Sequence, residues 1–339
     1  MSRRAYRGVA LAALIFLVVQ VGALALVPTF FEQGYQTVED PTDPTNSLLY
    51  IGAIIAMTAF MLAAFKYDLD QLIRLIIVFT SGLLAWYVFA ALVPNALVAI
   101  ALSAGVSLAL LVYPEWYVID AAGALMGAGA AALFGISFGL LPAIVLLSVL
   151  AIYDAISVYK TKHMLDLAEG VMDLRIPVVL VIPTTLSYSL LDDDFARDAN
   201  EVGDGENATD GGEPAAVADA ETADTTADTD AEDSGSGERD AFFIGLGDAV
   251  MPTVMVASGA FFSEAPSLGV GALPALNLPA LLAMVGTFAG FAGLMWAVMK
   301  GRAHAGLPLL NGGAIGGYLV GSVVAGVPLV SALGLAPYL

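Results

Sequence analysis

Long apolar stretches alternate with short polar ones along this chain, and the length of the apolar stretches is the first limit on its fold. A helix rises 1.5 Å per residue and the hydrocarbon core of a bilayer is about 30 Å thick, so an apolar run of about 18 residues or more reads as a membrane helix. Nine segments meet this pattern, at 8–27, 48–65, 72–92, 95–112, 117–134, 139–159, 242–262, 278–299 and 312–330. Only Gly135 to Phe138 separates the fifth from the sixth. The fold class expected is an all-α polytopic membrane protein with nine transmembrane helices. Four regions follow: a six-helix membrane region at 1–160, a cytoplasmic helix and strand-like segment at 161–190, an acidic loop at 191–241, and a three-helix membrane region at 242–339.

The break between the sixth and seventh spans is not uniform. From Lys160 to Arg175 the pattern is polar and helical, with His163, Asp166 and Glu169 at helix-face spacing. From Ile176 to Leu190 it is short, apolar, β-branched and interrupted by Pro177 and Pro183, which suits a strand or a re-entrant segment better than a span. From Leu191 to Asp240 it is Asp, Glu, Ala, Thr, Gly and Ser with almost no aromatic residue. Such a composition cannot bury enough apolar surface to offset its ordering entropy, so disorder is expected.

Charge sharpens this division. The net charge is -20, with 12 Lys and Arg against 32 Asp and Glu, and residues 191–241 hold 18 of those acids with only Arg197 and Arg239. Most of the charge thus sits outside the apolar framework, and the whole chain still has a mean hydropathy of +0.84. A soluble enzyme and a nucleic-acid binder are both excluded, the latter because it needs a basic stripe. The acid excess suggests a halophilic host, where surface acid favours solubility in concentrated salt. There is no cysteine, which removes disulfides, iron–sulfur clusters and thiol chemistry, and the two histidines, His163 and His304, exclude a histidine-rich metal site. No metal and no cofactor are expected, and any chemistry must come from carboxylates, hydroxyls and backbone.

The cations also orient the chain, because cytoplasmic loops carry the excess of Lys and Arg. With the N-terminus in the cytoplasm, all twelve fall in cytoplasmic segments, among them Arg3, Arg4, Arg7, Lys66, Arg74, Lys160, Lys300 and Arg302. The outer loops hold Glu32, Glu39, Asp40, Asp43 and Glu264 instead. The expected protein is a multi-pass cell-membrane protein with its C-terminus outside. The first span resembles a signal peptide in its Arg-rich start and small residues at Ala23-Leu24-Ala25, but its apolar run exceeds the usual 7–15 residues of an h-region, so it is read as retained.

Ionisable residues inside spans are the candidates for chemistry, since burying them in a bilayer costs several kcal/mol. Three qualify: Asp120, Asp154 and Asp248. Asp154 precedes Lys160 by six residues, about 9 Å at the helical rise, and Asp248 follows Asp240 by eight. The two lie at similar depth on consecutive antiparallel spans, so their side chains meet if the helices touch. Two facing carboxylates in a low-dielectric site share a proton. The ionised member can then activate water while the protonated one polarises a peptide carbonyl. The competing reading makes both residues polar caps near the membrane boundary. Asp120, five residues after Glu115, is read as a cap near a helix start. The small residues Gly123, Gly127 and Gly129 of the fifth span are read as a packing seam.

Tyr153-Asp154 in the sixth span and Gly245-Leu246-Gly247-Asp248 in the seventh, separated by a long cytoplasmic loop in a nine-span chain, resemble the paired signatures of the presenilin and signal peptide peptidase family of intramembrane aspartyl proteases, in the manner of an archaeal presenilin-like homologue. The family's third signature, Pro-Ala-Leu before the last span, corresponds to Ala305-Gly306-Leu307 followed by Pro308, departing at two positions. Literal copies at Pro274-Ala275-Leu276 and Pro279-Ala280-Leu281 fall on the outer side, away from the aspartates. The resemblance implies a catalytic pair Asp154 and Asp248 in a water-filled cavity. Tyr153, Gly245, Leu246, Gly247, Gly306, Leu307 and Pro308 would position the substrate. It also implies substrate helices, unwound and paired as an edge strand near the loop. This agrees with an independent requirement: a helix satisfies its own backbone, so the scissile bond must be unwound and its groups paired elsewhere. Ile176–Ile182 is the expected template strand. The partners implied are transmembrane-helix substrates and the bilayer, with no nucleic acid; no accessory subunit is implied, and self-association stays open.

Two other readings compete. A proton-coupled transporter or channel would use intramembrane carboxylates as relays but predicts repeated halves, and no clear internal repeat is visible. A prepilin or preflagellin peptidase also carries Gly-x-Gly-Asp, with fewer spans and no need of Tyr-Asp in the preceding one. Because the acidic loop lies outside both signatures, deletion of 192–238 is expected to leave peptide cleavage intact, and abolished cleavage at permissive salt would assign the loop a role.

Overall fold

The computed structural model describes residues 3–67, 69–160, 179–183, 188–190, 241–298 and 305–339. Most of the polar helical stretch expected at 160–175, the acidic loop expected at 191–240, His163 and His304 lie outside the described residues. Among those described, nine long helices run in order: α1 (Arg3–Glu32), α2 (Thr45–Lys66), α3 (Asp70–Leu92), α4 (Ala96–Val112), α5 (Trp116–Ser137), α6 (Leu140–Lys160), α7 (Leu246–Phe262), α8 (Leu278–Val298) and α9 (Gly306–Val324). Two strands, β1 (Val179–Pro183) and β2 (Ala241–Gly245), a one-turn helix, α10 (Leu329–Ala332), and a 3-10 turn at Ala336–Tyr338 complete the described fold. Seven of the helices are long and apolar enough to cross a membrane; α4 and α7, at 17 residues, are shorter.

Helix boundaries follow local chemistry. Asn95 starts α4 because its side chain accepts from the free amides of Leu97 (2.9 Å) and Val98 (3.4 Å). Asn277 does the same for α8, accepting from Ala280 N while donating to Gly259 O, which ties α8 to α7. Only Phe138 and Gly139 separate α5 from α6, and this turn is held on both sides. The Gly139 amide donates to Pro41 O (2.7 Å), Thr37 bonds Ser137, and Ser258 Oγ donates to Phe138 O (2.8 Å).

Two expected spans shift. The seventh, read at 242–262, opens as a strand: the β-forming run Phe242-Phe243-Ile244 pairs with β1, and helix α7 begins only at Leu246. The ninth, read at 312–330, runs from Gly306 to Val324. It ends where Gly326 takes a φ of 78°, a left-handed conformation suited to glycine, two residues before Pro328. The strand expected at 176–182 is seen at Val179–Pro183, with 176–178 outside the described residues.

α7 is the axis of the bundle. Nearly every residue from Ala249 to Ala260 is buried, and α1, α5, α6, α8 and α9 all pack on it. A helix apolar and buried all round belongs at a centre, not at a lipid face. α2 and α4 lie at the periphery, with Leu48, Leu49, Leu97 and Val112 exposed. The glycine seam expected on α5 is real at Gly127, where a Cβ would touch Val250 and Leu246 of α7, and at Gly129, where it would meet Val88 of α3.

A second seam fixes α9 against α8. Between lipid-soluble helices there is little hydrophobic drive, so close backbone approach through small residues carries the packing. A Cβ on Gly286 would run into Gly313, one on Gly290 into the Leu309 carbonyl, and one on Gly317 into the Leu282 carbonyl. Gly313→Val is therefore expected to cost about 1–3 kcal/mol or more through overpacking. Gly312→Val, on a glycine with open space beside it, should stay near wild type. Thermal midpoints in detergent would show the difference.

Candidate active site

The site forms where three elements reach the same level: the end of α6, the start of α7 and the start of α9. Asp154 lies six residues before the end of α6 and is only 7% exposed. Its Oδ2 accepts the backbone N–H of Leu307 at 3.0 Å, and the Gly306 N–H faces the same carboxylate. Those amides belong to the first turn of α9, whose leading N–H groups have no partner within the helix. The N-cap residue, Ala305, has no side-chain acceptor to offer them. Asp154 thus caps α9 from another helix, and the positive end of the α9 dipole lies against it.

Asp248 occupies the first turn of α7, the third residue of the helix and not several turns inside one. It is half-buried, and it is near enough to Asp154 for the two charges to repel. Gly245 is the N-cap of α7, and a Cβ there would stand 3.8 Å from Asp248 Oδ2. Four residues on, Pro252 lacks an N–H, so the helical bond to the Asp248 carbonyl cannot form.

Gly306 joins the two carboxylates. Its amide faces Asp154, and a Cβ on it would lie 3.2 Å from Asp248 Oδ2 and 3.4 Å from Leu294 Cδ2. This explains how Ala305-Gly306-Leu307 can stand in for a Pro-Ala-Leu sequence: the contacts to Asp154 come from main-chain N–H groups, which every residue but proline supplies. Pro308 sits in the first turn of α9, where its missing N–H costs nothing. The two literal Pro-Ala-Leu copies lie beyond the other end of α7, in the α7–α8 loop and the first turn of α8.

Other expected residues sit less centrally. Tyr153 is 50% exposed, on a different face of α6 from Asp154. Leu246 turns toward the α5 seam at Gly127, and Gly247 is exposed with open space around it. Asp120 does not cap α5. That place belongs to Glu115, whose side chain accepts from Trp116 N, while Asp120 Oδ1 accepts the Val181 N–H of β1 at 2.8 Å. The capping expectation fails because a cap must reach the first-turn amides, and Asp120 is already inside the helix.

Sequence reading passed over Asn311. It is fully buried one turn beyond Leu307, and its Nδ2 donates to Leu147 O at 3.0 Å, two turns before Asp154 on α6. A second bond between α6 and α9 therefore backs the one at the carboxylate. An Asn in an otherwise apolar and glycine-rich run was the available signal.

β1 and β2 lie beside this group. They pair antiparallel, with Val181 opposite Phe243 and Val179 opposite Gly245, so the sheet ends where α7 begins. Successive β1 side chains enter opposite cores: Leu180 and Ile182 pack with Phe16, Ala249, Phe291 and Leu310, whereas Val181 packs with Ile119 and Ala122.

Two carboxylates beside backbone donors from a helix start could serve a two-aspartate hydrolysis. Comparison with known proteins gives the family. Residues 13–327 match the family model described as signal-peptide peptidase, presenilin aspartyl protease. The chain is similar to a presenilin family intramembrane aspartate protease solved in space group C222, with 31% identity, TM-score 0.61, and coverage of 93% of this chain and 99% of that one. It is similar also to such a protease solved in space group P2, with 32% identity, TM-score 0.58, and coverage of 92% and 96%. No curated protein gives a match. The chain belongs to the signal-peptide peptidase and presenilin family and is a multi-pass intramembrane aspartyl protease.

Proposed function

We propose that Asp154 and Asp248 are the catalytic pair, hydrolysing peptide bonds of transmembrane-helix substrates. The observation that carries the reading is the convergence of both carboxylates on Gly306. One aspartate, ionised, takes a proton from water as the water oxygen attacks the scissile carbonyl carbon. The other, protonated, donates to the carbonyl oxygen. Collapse of the tetrahedral intermediate breaks the C–N bond, with a proton passing to the leaving nitrogen and a new carboxyl on the other product. No metal or cofactor enters these steps.

The Leu307 and Gly306 amides hold Asp154 in place, and the exposed glycines Gly245 and Gly247 leave the start of α7 open for water and an unwound chain. Substrate backbone freed from its helix needs new partners. β1 is engaged at Val181 by Asp120 on its outer side. Strand addition is therefore directed to β2, whose last residue is the N-cap of α7. The segregation of Lys and Arg supports a cytoplasmic N-terminus and an outer C-terminus, the orientation that the resemblance to presenilin links to type I-like substrates.

With purified protein and a labelled membrane-spanning peptide, Asp154→Ala and Asp248→Ala should each reduce kcat by about 10²–10⁴-fold or more. Cleavage surviving either change would remove the pair from the mechanism, and proton-coupled flux without new peptide termini would favour a transporter. Gly306→Ala brings a methyl against Asp248 that a shift of a few tenths of an ångström can absorb, so kcat should fall only a few-fold, roughly the effect of ~1 kcal/mol. Gly306→Val should be nearly inactive. For orientation, the cysteine-free chain permits single Thr42→Cys and Tyr67→Cys variants. An impermeant maleimide on intact cells should label the first and spare the second, and the reverse pattern would invert the topology.

A further inference from the structure

Asp120 is a carboxylate inside a membrane helix that the hydrolytic mechanism does not use. It is 6% exposed. Its Oδ1 accepts the Val181 N–H at 2.8 Å, and its Oδ2 has no hydrogen-bond partner among the described residues. Helix capping does not explain it, because Glu115 serves α5. An ion-pair network does not explain it either, for the second oxygen joins none among the described residues. What remains is the bond to the middle of β1.

That strand needs an anchor. A two-stranded sheet is marginal alone, and here the strands are separated by residues 184–240, so the entropy of closing a long connection works against their pairing. Nearby bonds share the same direction: Trp116 Nε1 donates to Tyr188 O, and Glu115 accepts from Ser189 Oγ and Leu190 N. The cytoplasmic end of α5 therefore grips the chain on both sides of 184–187. Of these four bonds, the one from Val181 to Asp120 falls on the strand itself. Because the Val181 N–H points to α5, it lies outside the ladder with β2, and the bond sets which face of β1 meets α5 without competing with the sheet.

We infer that Asp120 is a positioning residue of the protease. Its hydrogen bond to Val181 fixes the register of β1 against β2, and through β2 the place at which a substrate strand enters the Asp154 and Asp248 pair. The inference rests on the function proposed above.

The test uses the full-length protein and the same labelled membrane-spanning peptide, with kcat/KM and product termini read by mass spectrometry. Asp120→Asn keeps the acceptor oxygen and should cleave at the wild-type positions with kcat/KM close to wild type. Asp120→Leu should lower kcat/KM by about tenfold or more, the scale of one lost buried hydrogen bond, and spread the cleavage positions. Val181→Pro removes the donor while leaving the ladder with β2 available. It should reproduce the Leu variant, and the double variant Asp120→Leu, Val181→Pro should be no worse than either single. Val181→Pro also keeps the test decisive if Asp120→Leu fails to fold. Wild-type positions and rate in either single variant, or losses that multiply in the double, would overturn the inference. Asp154→Ala in the same assay separates the two readings: if it is inactive while Asp120→Leu behaves as wild type, only the anchoring role falls, whereas if it cleaves, the catalytic pair falls.

Discussion

A charged or polar group in a membrane core is tolerated only when something replaces the water it has lost. In this protein the replacement for Asp154 is the unpaired backbone N–H at the start of a helix. α9 begins at the level of Asp154, its first amides aim at the carboxylate, and its own N-cap residue, Ala305, has nothing to offer them. The acid needs donors and the helix needs an acceptor, so each fills the other's deficit. Asp248 stands in the first turn of α7, where the helix dipole also favours an acid.

That arrangement needs α9 to start at one depth and stay there. The backbone-to-backbone seam between α8 and α9, built on Gly286, Gly290, Gly313 and Gly317, prevents sliding because the contacts are with main-chain carbonyls. Asn311 adds the bond to α6 that keeps the distance to Asp154. At the far end of α9, Tyr318 lies fully buried against Gly259 of α7 and donates to Ala332 O, fixing that end of the helix. The site is held by packing that extends through the bundle.

The strand before α7 shows how local preference and the helical reading divided. An apolar run from 242 onward looks like the opening of a span by hydropathy, because hydropathy does not separate a strand from a helix. Phe242, Phe243 and Ile244 favour extended backbone, and Gly245 carries the change to helix. The outcome still depended on β1 being available as a partner, which no local pattern near 242 reveals. Asp120 was misread for a similar reason. Five residues from Glu115 it looked like a helix-start acid, and its partner, Val181, lies sixty-one residues away.

The sequence alone determined the membrane-spanning class, the two helical groups on either side of an acidic connection, and the candidacy of Asp154 and Asp248 with the short motifs around them. These are properties of composition, run length and short motifs, which the linear order of residues carries. Only the tertiary structure decided that Asp154 caps α9 through backbone amides, that Gly306 stands between both carboxylates, that Asn311 braces α6, and that Asp120 serves β1. Each of these is a contact between distant segments made by a main-chain group or a missing side chain. Main-chain groups are the same at every position, so only the packing that brings the segments together selects among them.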